Sequence, residues 1–115
     1  MSVGRIANTV NNSIESIKDP DKIAHFDMRF IKPLDEVLLH KILTNYNTVI
    51  TVEDGVIKGG FGSAVAEYMI ENGYKNNLKI LGVPDTFLEH ATVEELHVMS
   101  GLDCKSIAKI IISLL

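Results

Sequence analysis

A single cysteine, Cys104, is all that the 115 residues contain, so no internal disulfide can form. A reducing, cytoplasmic setting is therefore expected. Basic residues do not predominate. Eleven Lys and Arg stand against 15 Asp and Glu, for a net charge of −4. Nucleic acids and anionic membrane surfaces are bound through a basic face, so neither is expected as a partner. No apolar run approaches the ~20 residues of a membrane helix. The opening, MSVGRIANTVNNS, lacks the apolar stretch of a secretory signal. Repeats, low-complexity tracts and linkers are missing as well. What the chain does have is 46% apolar residues, enough for one core. A domain of this length removes roughly two-thirds of its unfolded surface from water, and one domain over residues 1–115 is expected.

The apolar residues are spaced for alternating helices and strands. Val3, Ile6, Val10, Ile14 and Ile17 recur every three or four positions and predict a helix over 4–17. Asp19-Pro20-Asp21 ends it. In KIAHFDMRF, Ala24, Phe26, Met28 and Phe30 alternate with polar residues and predict a strand. A helix over 35–46 follows, with Val37, Leu38, Ile42 and Tyr46 on its buried stripe. NTVITVE, rich in β-branched residues, is the next strand. A helix over 61–72 carries Phe61, Val65, Tyr68 and Met69 on one side, and Gly73 suits a left-handed cap. LKILGV is a strand stopped by Pro84-Asp85. Thr92 and Glu95 form a capping-box pattern for a helix over 93–99. Gly101 ends that helix and Asp103 caps the last one, whose stripe is Ile107, Ile110, Ile111 and Leu114. The expected fold is α/β, with three layers and a mainly parallel sheet covered by helices on both faces. Such domains open with a strand. SVG, ahead of the first helix, reads as the tail of a truncated first strand, and residue 1 as a cut inside a longer protein.

Between the second strand and its helix lie Gly59, Gly60 and Gly62. Gly60-Phe61-Gly62 partly imitates a dinucleotide fingerprint. That fingerprint needs a tight strand-to-helix turn and an acidic residue ~20 positions on. Here Glu53 to Gly59 lie between strand and glycines, and position 80 is Ile80, inside a strand. Glu53 and Asp54 would also repel a phosphate. The same physics admits an internal anion. A helix N-terminus carries roughly half a positive charge and unpaired N–H groups. Glu53 or Asp54 could supply the carboxylate, with the glycines allowing close approach.

DMRFIKPLD (27–35), TVEDGVIKGGFGSAV (51–65), LGVPDTFLEHAT (81–92) and GLD (101–103), in this order and spacing, resemble the C-terminal domains of 1-deoxy-D-xylulose-5-phosphate synthases. These are thiamine-diphosphate-dependent enzymes of the transketolase superfamily. The pattern of Asp27, Arg29, Pro33, Leu34 and Asp35 is similar to one found widely in that superfamily. The GGFGSAV and LGVPDTFLEH segments point to the synthases. The resemblance implies a three-domain parent that condenses pyruvate with glyceraldehyde 3-phosphate and releases carbon dioxide, serving isoprenoid and thiamine biosynthesis. It implies that thiamine diphosphate and magnesium are held by the parent's other domains, so that this chain has no catalytic, cofactor or metal residue of its own. It also implies a structural role in a homodimer, with the parent's catalytic domains as partners. Two other functions are open on the sequence alone. One is a free-standing regulatory module binding a small ligand near Glu53 and Asp85, at the C-terminal strand ends. The other is a C-terminal domain of a 2-oxoacid dehydrogenase β subunit.

The remaining polar residues are structural or interface candidates. His25, His40, His90 and His97 lack ligand spacing, and His40 is expected to be solvated. His90, beside Glu89, is the histidine best placed for an interface or active-site rim. Arg29 and Lys32 are expected to pair with Asp27 or Asp35. Cys104, in the first turn of a helix, has no histidine or second cysteine nearby in sequence to make it a nucleophile.

Overall fold

The structure, a computed structural model, describes residues 1–29, 33–84 and 92–115. Among the described residues the sheet has three parallel strands in the order β1 (Ser2–Val3), β2 (Thr48–Val56) and β3 (Asn77–Val83). Among the described residues, five α-helices accompany them: α1 (Ala7–Glu15), α2 (Glu36–Asn45), α3 (Phe61–Glu71), α4 (Val93–Met99) and α5 (Cys104–Ser113). Successive side chains of a strand point to opposite faces, and β2 serves two cores in this way. Val49 joins Leu39, Ile42 and Leu43 of α2 and Phe61, Val65 and Met69 of α3. Val52 joins Ile6, Val10 of α1 and Ile107, Ala108 and Ile111 of α5. The result is the expected three-layer α/β architecture, with α2 and α3 on one face and α1 and α5 on the other.

Short-range caps set the helix ends. Asp35 accepts from the Leu38 N–H at 3.0 Å, Thr92 from Glu95 at 3.1 Å and Asp103 from Ser106 at 3.2 Å. Each side-chain oxygen thereby satisfies an orphan donor of a first turn. The Ser106 hydroxyl also donates to Asp103 at 2.6 Å, and this bond leads the causes holding the Asp103 carboxyl below its usual range. At the end of α3, Gly73 has φ of +73°, the Tyr74 N–H bonds the Met69 carbonyl and the Gly73 N–H bonds the Ile70 carbonyl. Those paired bonds are a Schellman cap, which glycine forms without a Cβ penalty.

Four expectations are corrected. The strand over 22–30 is reduced to one bridge, Ser2 to Asp27, with the Ser2 N–H on the Phe26 carbonyl and the Met28 N–H on the Ser2 carbonyl. A ladder needs a partner, and β1 offers only two residues. The first turn of the helix over 4–17 is a separate 3-10 turn, Gly4–Ile6. Val37 is 84% exposed and Tyr46 is exposed, and the buried stripe of α2 is Leu39, Ile42 and Leu43. Finally, β2 runs on to Val56 through a register shift after Val52. Only four residues, Ile57 to Gly60, then separate it from α3.

Candidate functional site

The glycine loop folds around an internal anion. Glu53, at the end of the regular part of β2, is buried. Its carboxylate accepts from the Gly62 N–H at 2.8 Å and the Phe61 N–H at 3.2 Å. These are free donors of the first turn of α3, and a carboxylate there complements the helix dipole. The loop closes through the Gly60 N–H on the Ile57 carbonyl at 3.1 Å and the Ser63 hydroxyl on the same carbonyl at 2.8 Å. Gly60 is required by space. A Cβ there would stand 1.8 Å from Glu53 Oε1 and 2.6 Å from the Val56 carbonyl oxygen. At Gly62 a Cβ would meet Ile80 Cγ2 at 2.4 Å and Thr51 Oγ1 at 2.8 Å. The helix start therefore rests directly on the sheet. Gly59 has φ of +74° and supplies the left-handed turn.

Of the two acids considered as the internal anion, Glu53 takes the role. Asp54 points the other way and bonds His97 Nε2 at 2.7 Å, tying α4 to the end of β2. This pair spans 43 residues of sequence, and nothing in local spacing marks His97 for it. Thr51 Oγ1 is buried beneath Gly62 and has no hydrogen-bond partner. Thr51→Val removes that orphan hydroxyl at nearly constant shape. It is expected to raise the unfolding free energy by about 1 kcal/mol, and a thermal melt no higher than that of the parent chain would count against an unpaired hydroxyl.

The other candidates fall apart spatially. Arg29 is exposed, and among the described residues no ion pair joins it to Asp27 or Asp35. Asp35 caps α2 instead. Lys32, Asp85, Glu89 and His90 lie outside the described residues. His40, expected to be solvated, is exposed but bonds the Tyr74 hydroxyl. His25 forms a relay that sequence reasoning missed: Nε2 lies 2.7 Å from Ser2 Oγ and Nδ1 lies 2.6 Å from Asn11 Oδ1. The order Ser, His, Asn imitates a nucleophilic triad. Ser2 is completely buried, however, so its hydroxyl is closed to a substrate and the relay works as packing. Desolvation first, and then the nearby terminal amine, hold the His25 imidazole below its usual pKa, against the opposing charge of Asp27.

The residues present do not fit a diphosphate at the glycine loop. The Phe61 and Gly62 donors already hold a carboxylate, and a second anion would meet its charge. Among the described residues, no group of three or more His, Cys, Asp and Glu is placed to hold a metal ion. An apolar cavity among the described residues lies at the opposite end of the sheet from Glu53, near which a regulatory module's pocket is expected. Thr48, Val49 and Ile50, at the start of β2, line it. No helix among the described residues is long and apolar enough to cross a membrane.

The fold and the loop define a parallel α/β lobe whose most distinctive motif serves its own packing. The chain belongs to the transketolase C-terminal domain family, whose model matches residues 2–107. Its relatives narrow the type. It is 54% identical over 110 residues to a 1-deoxy-D-xylulose-5-phosphate synthase of Parabacteroides distasonis, covering 95% of this chain and 17% of that protein. It is 46% identical over 113 residues to the synthase of Azobacteroides pseudotrichonymphae, covering 97% of this chain and 18% of that one. A solved structure, a split-gene transketolase as an inactive beta4 tetramer, superposes with a TM-score of 0.81 at 28% identity. That match covers 97% of this chain and 37% of the other. These matches support a C-terminal domain of the synthase type, and neither the dehydrogenase subunit nor the regulatory module is favoured. The chain spans less than a fifth of the length of the synthases it matches.

Proposed function

We propose that the chain serves as the C-terminal structural lobe of a three-domain 1-deoxy-D-xylulose-5-phosphate synthase in the cytoplasm. The parent joins pyruvate to glyceraldehyde 3-phosphate with loss of carbon dioxide, using thiamine diphosphate and magnesium held by its other domains. The lobe buttresses those domains and contributes to a homodimer. Thiamine chemistry builds carbanion character on the coenzyme and needs a site from which water is excluded. A lobe that closes such a site matters without touching substrate. The observation that carries this reading is the Glu53 carboxylate on the Phe61 and Gly62 N–H groups, which commits the one phosphate-like cradle of the sequence to internal packing.

The 115-residue chain, supplied with both substrates, thiamine diphosphate and magnesium, is expected to give no turnover above the protein-free background. Thiamine diphosphate is expected to leave its melting temperature unchanged. Turnover, or a saturable thermal shift abolished by Gly60→Ala, would overturn the reading.

A further inference from the structure

The C-terminal end of α3 holds a reactive pair of residues in an unreactive shape. Asn72-Gly73 is the one place in the sequence where asparagine precedes glycine. A following residue without a Cβ gives its backbone nitrogen the least hindered approach to the asparagine side chain. The reaction is a ring closure. The Gly73 nitrogen gives up its proton and attacks Asn72 Cγ. A C–N bond forms, the Cγ–Nδ2 bond breaks, and Nδ2 leaves as ammonia with that proton. Water then opens the succinimide at either carbonyl, leaving aspartate or isoaspartate. Asn72 and Gly73 are both exposed, so water reaches the pair.

Hydrogen bonds hold the pair back. The Tyr68 carbonyl accepts from Asn72 Nδ2 at 2.9 Å and from the Asn72 N–H at 3.1 Å. The Gly73 N–H donates to the Ile70 carbonyl at 3.3 Å, which keeps its proton in place. At ψ of 7° in Asn72, the Gly73 nitrogen is turned away from the Asn72 side chain, so closure requires the cap to open. The next residue pins that cap. The Tyr74 N–H bonds the Met69 carbonyl at 2.9 Å, its ring stacks on Tyr68 with centroids 6.0 Å apart, and its hydroxyl bonds His40 of α2.

We propose that Asn72 is a self-modification site, converted to aspartate or isoaspartate at a rate set by how often Tyr74 lets go of α2 and α3. Helix ends open locally at far lower cost than the whole domain, and here that opening gates a covalent step. The change runs one way and bears on the fold. A carboxylate at residue 72 stands at the negative end of the α3 dipole. It also lacks the donor that Nδ2 gives to the Tyr68 carbonyl. Isoaspartate adds a carbon to the main chain as well, which breaks the spacing of the Schellman bonds. Tyr74 is then released from Tyr68 and His40. Asp54-Gly55, at the end of β2, is the comparable pair, but a carboxylate is a poor target for attack and Asp54 is held by His97. The inference stands independently of any role in a longer enzyme.

The test incubates the 115-residue chain at mildly alkaline pH and physiological temperature, with digests read by mass spectrometry over several weeks. Asn72 is expected to be the first asparagine to gain one dalton. In denaturing urea the same site should react at least tenfold faster than in the native chain. Tyr74→Ala should speed the native reaction at least fivefold while the far-UV spectrum stays that of the parent. His40→Ala, on the exposed side of α2, removes the partner of the Tyr74 hydroxyl without touching the cap, and should speed it at least twofold. That second variant carries the comparison if Tyr74→Ala does not fold. In urea both variants should match the parent, because the clamp exists only in the fold. Another asparagine reacting first, or native rates in the folded variants equal to the parent's, would overturn the proposal.

Discussion

Glu53→Ala is expected to lower the unfolding free energy by about 3–5 kcal/mol, a large part of the roughly 5–15 kcal/mol that holds a domain together. Two buried N–H groups, of Phe61 and Gly62, lose their acceptor. An unsatisfied buried donor costs about 1–3 kcal/mol, and the space left by the side chain adds a cavity cost. Water entering the gap would recover part of this, which sets the upper end. Gly60→Ala attacks the same contact from the other side. Its Cβ would overlap Glu53 Oε1, 1.8 Å away, and also the Val56 carbonyl oxygen, which cannot swing aside as a side chain can. The two substitutions share one locus, so they should not add. Once Glu53 is alanine, part of the clash at residue 60 is already relieved, and the double variant should lose measurably less than the sum of the singles. Glu53→Gln keeps one oxygen acceptor but turns an amide NH₂ toward the other N–H, and should fall between alanine and the parent. Urea titrations of the four variants give these differences. A Glu53→Ala loss below about 1 kcal/mol, the size of one ordinary exposed hydrogen bond, would show that the carboxylate is not what fixes α3.

The Glu53 contact was legible in the sequence because its ingredients are close together: an acid at a strand end, glycines, then a helix start. Sequence left Glu53 and Asp54 as equals. The distinction came from strand alternation, which turns Glu53 inward beneath α3 and leaves Asp54 to reach His97 on α4. The caps by Asp35, Thr92 and Asp103 were legible for the same reason, since each acts within three residues. Periodicity did worse where it admitted two phases. Val37, Leu38 and Leu39 are consecutive apolar residues, and a stripe can be drawn from any of them. Packing against α3 and β2 selected Leu39, Ile42 and Leu43. In residues 22–29 the alternation holds at buried Met28 between exposed Asp27 and Arg29 but fails at Ala24, which is exposed, and alternation alone cannot provide a neighbouring strand. The cleft beside Thr48 and Ile50 was beyond reach altogether. It is made by α1, α5, β2 and the segment before Met28 coming together, and no local pattern encodes that meeting.

Acidification should destabilise the free 115-residue chain through the buried amine of its first residue. The Met1 amine is buried, and desolvation lowers its pKa from 8.0 to about 5. An ammonium there would sit in an apolar cleft with the Ile50 carbonyl as its hydrogen-bond acceptor. In the unfolded chain the amine returns to water and its ordinary pKa. Between pH 8 and pH 5 the unfolded state therefore binds more protons than the folded one, and stability rises with pH across that window. Above pH 8 both states hold a neutral amine, and below pH 5 both hold an ammonium, so the dependence flattens at each end. Three pKa units at 1.36 kcal/mol each give about 4 kcal/mol. His25 acts in the same direction, because its pKa is also lowered by folding. Carboxylates contribute to any acid transition, so the decisive comparison is with the N-acetylated chain. Acetylation replaces the amine by an amide N–H, which can still donate to the Ile50 carbonyl but does not titrate. Denaturant midpoints measured from pH 5 to pH 8 should fall steeply with acid for the free amine and only shallowly for the acetylated chain. The two curves should be farthest apart near pH 5. Parallel curves would mean that the amine reaches water in the folded state, and the cleft would then have to be wet around Met1.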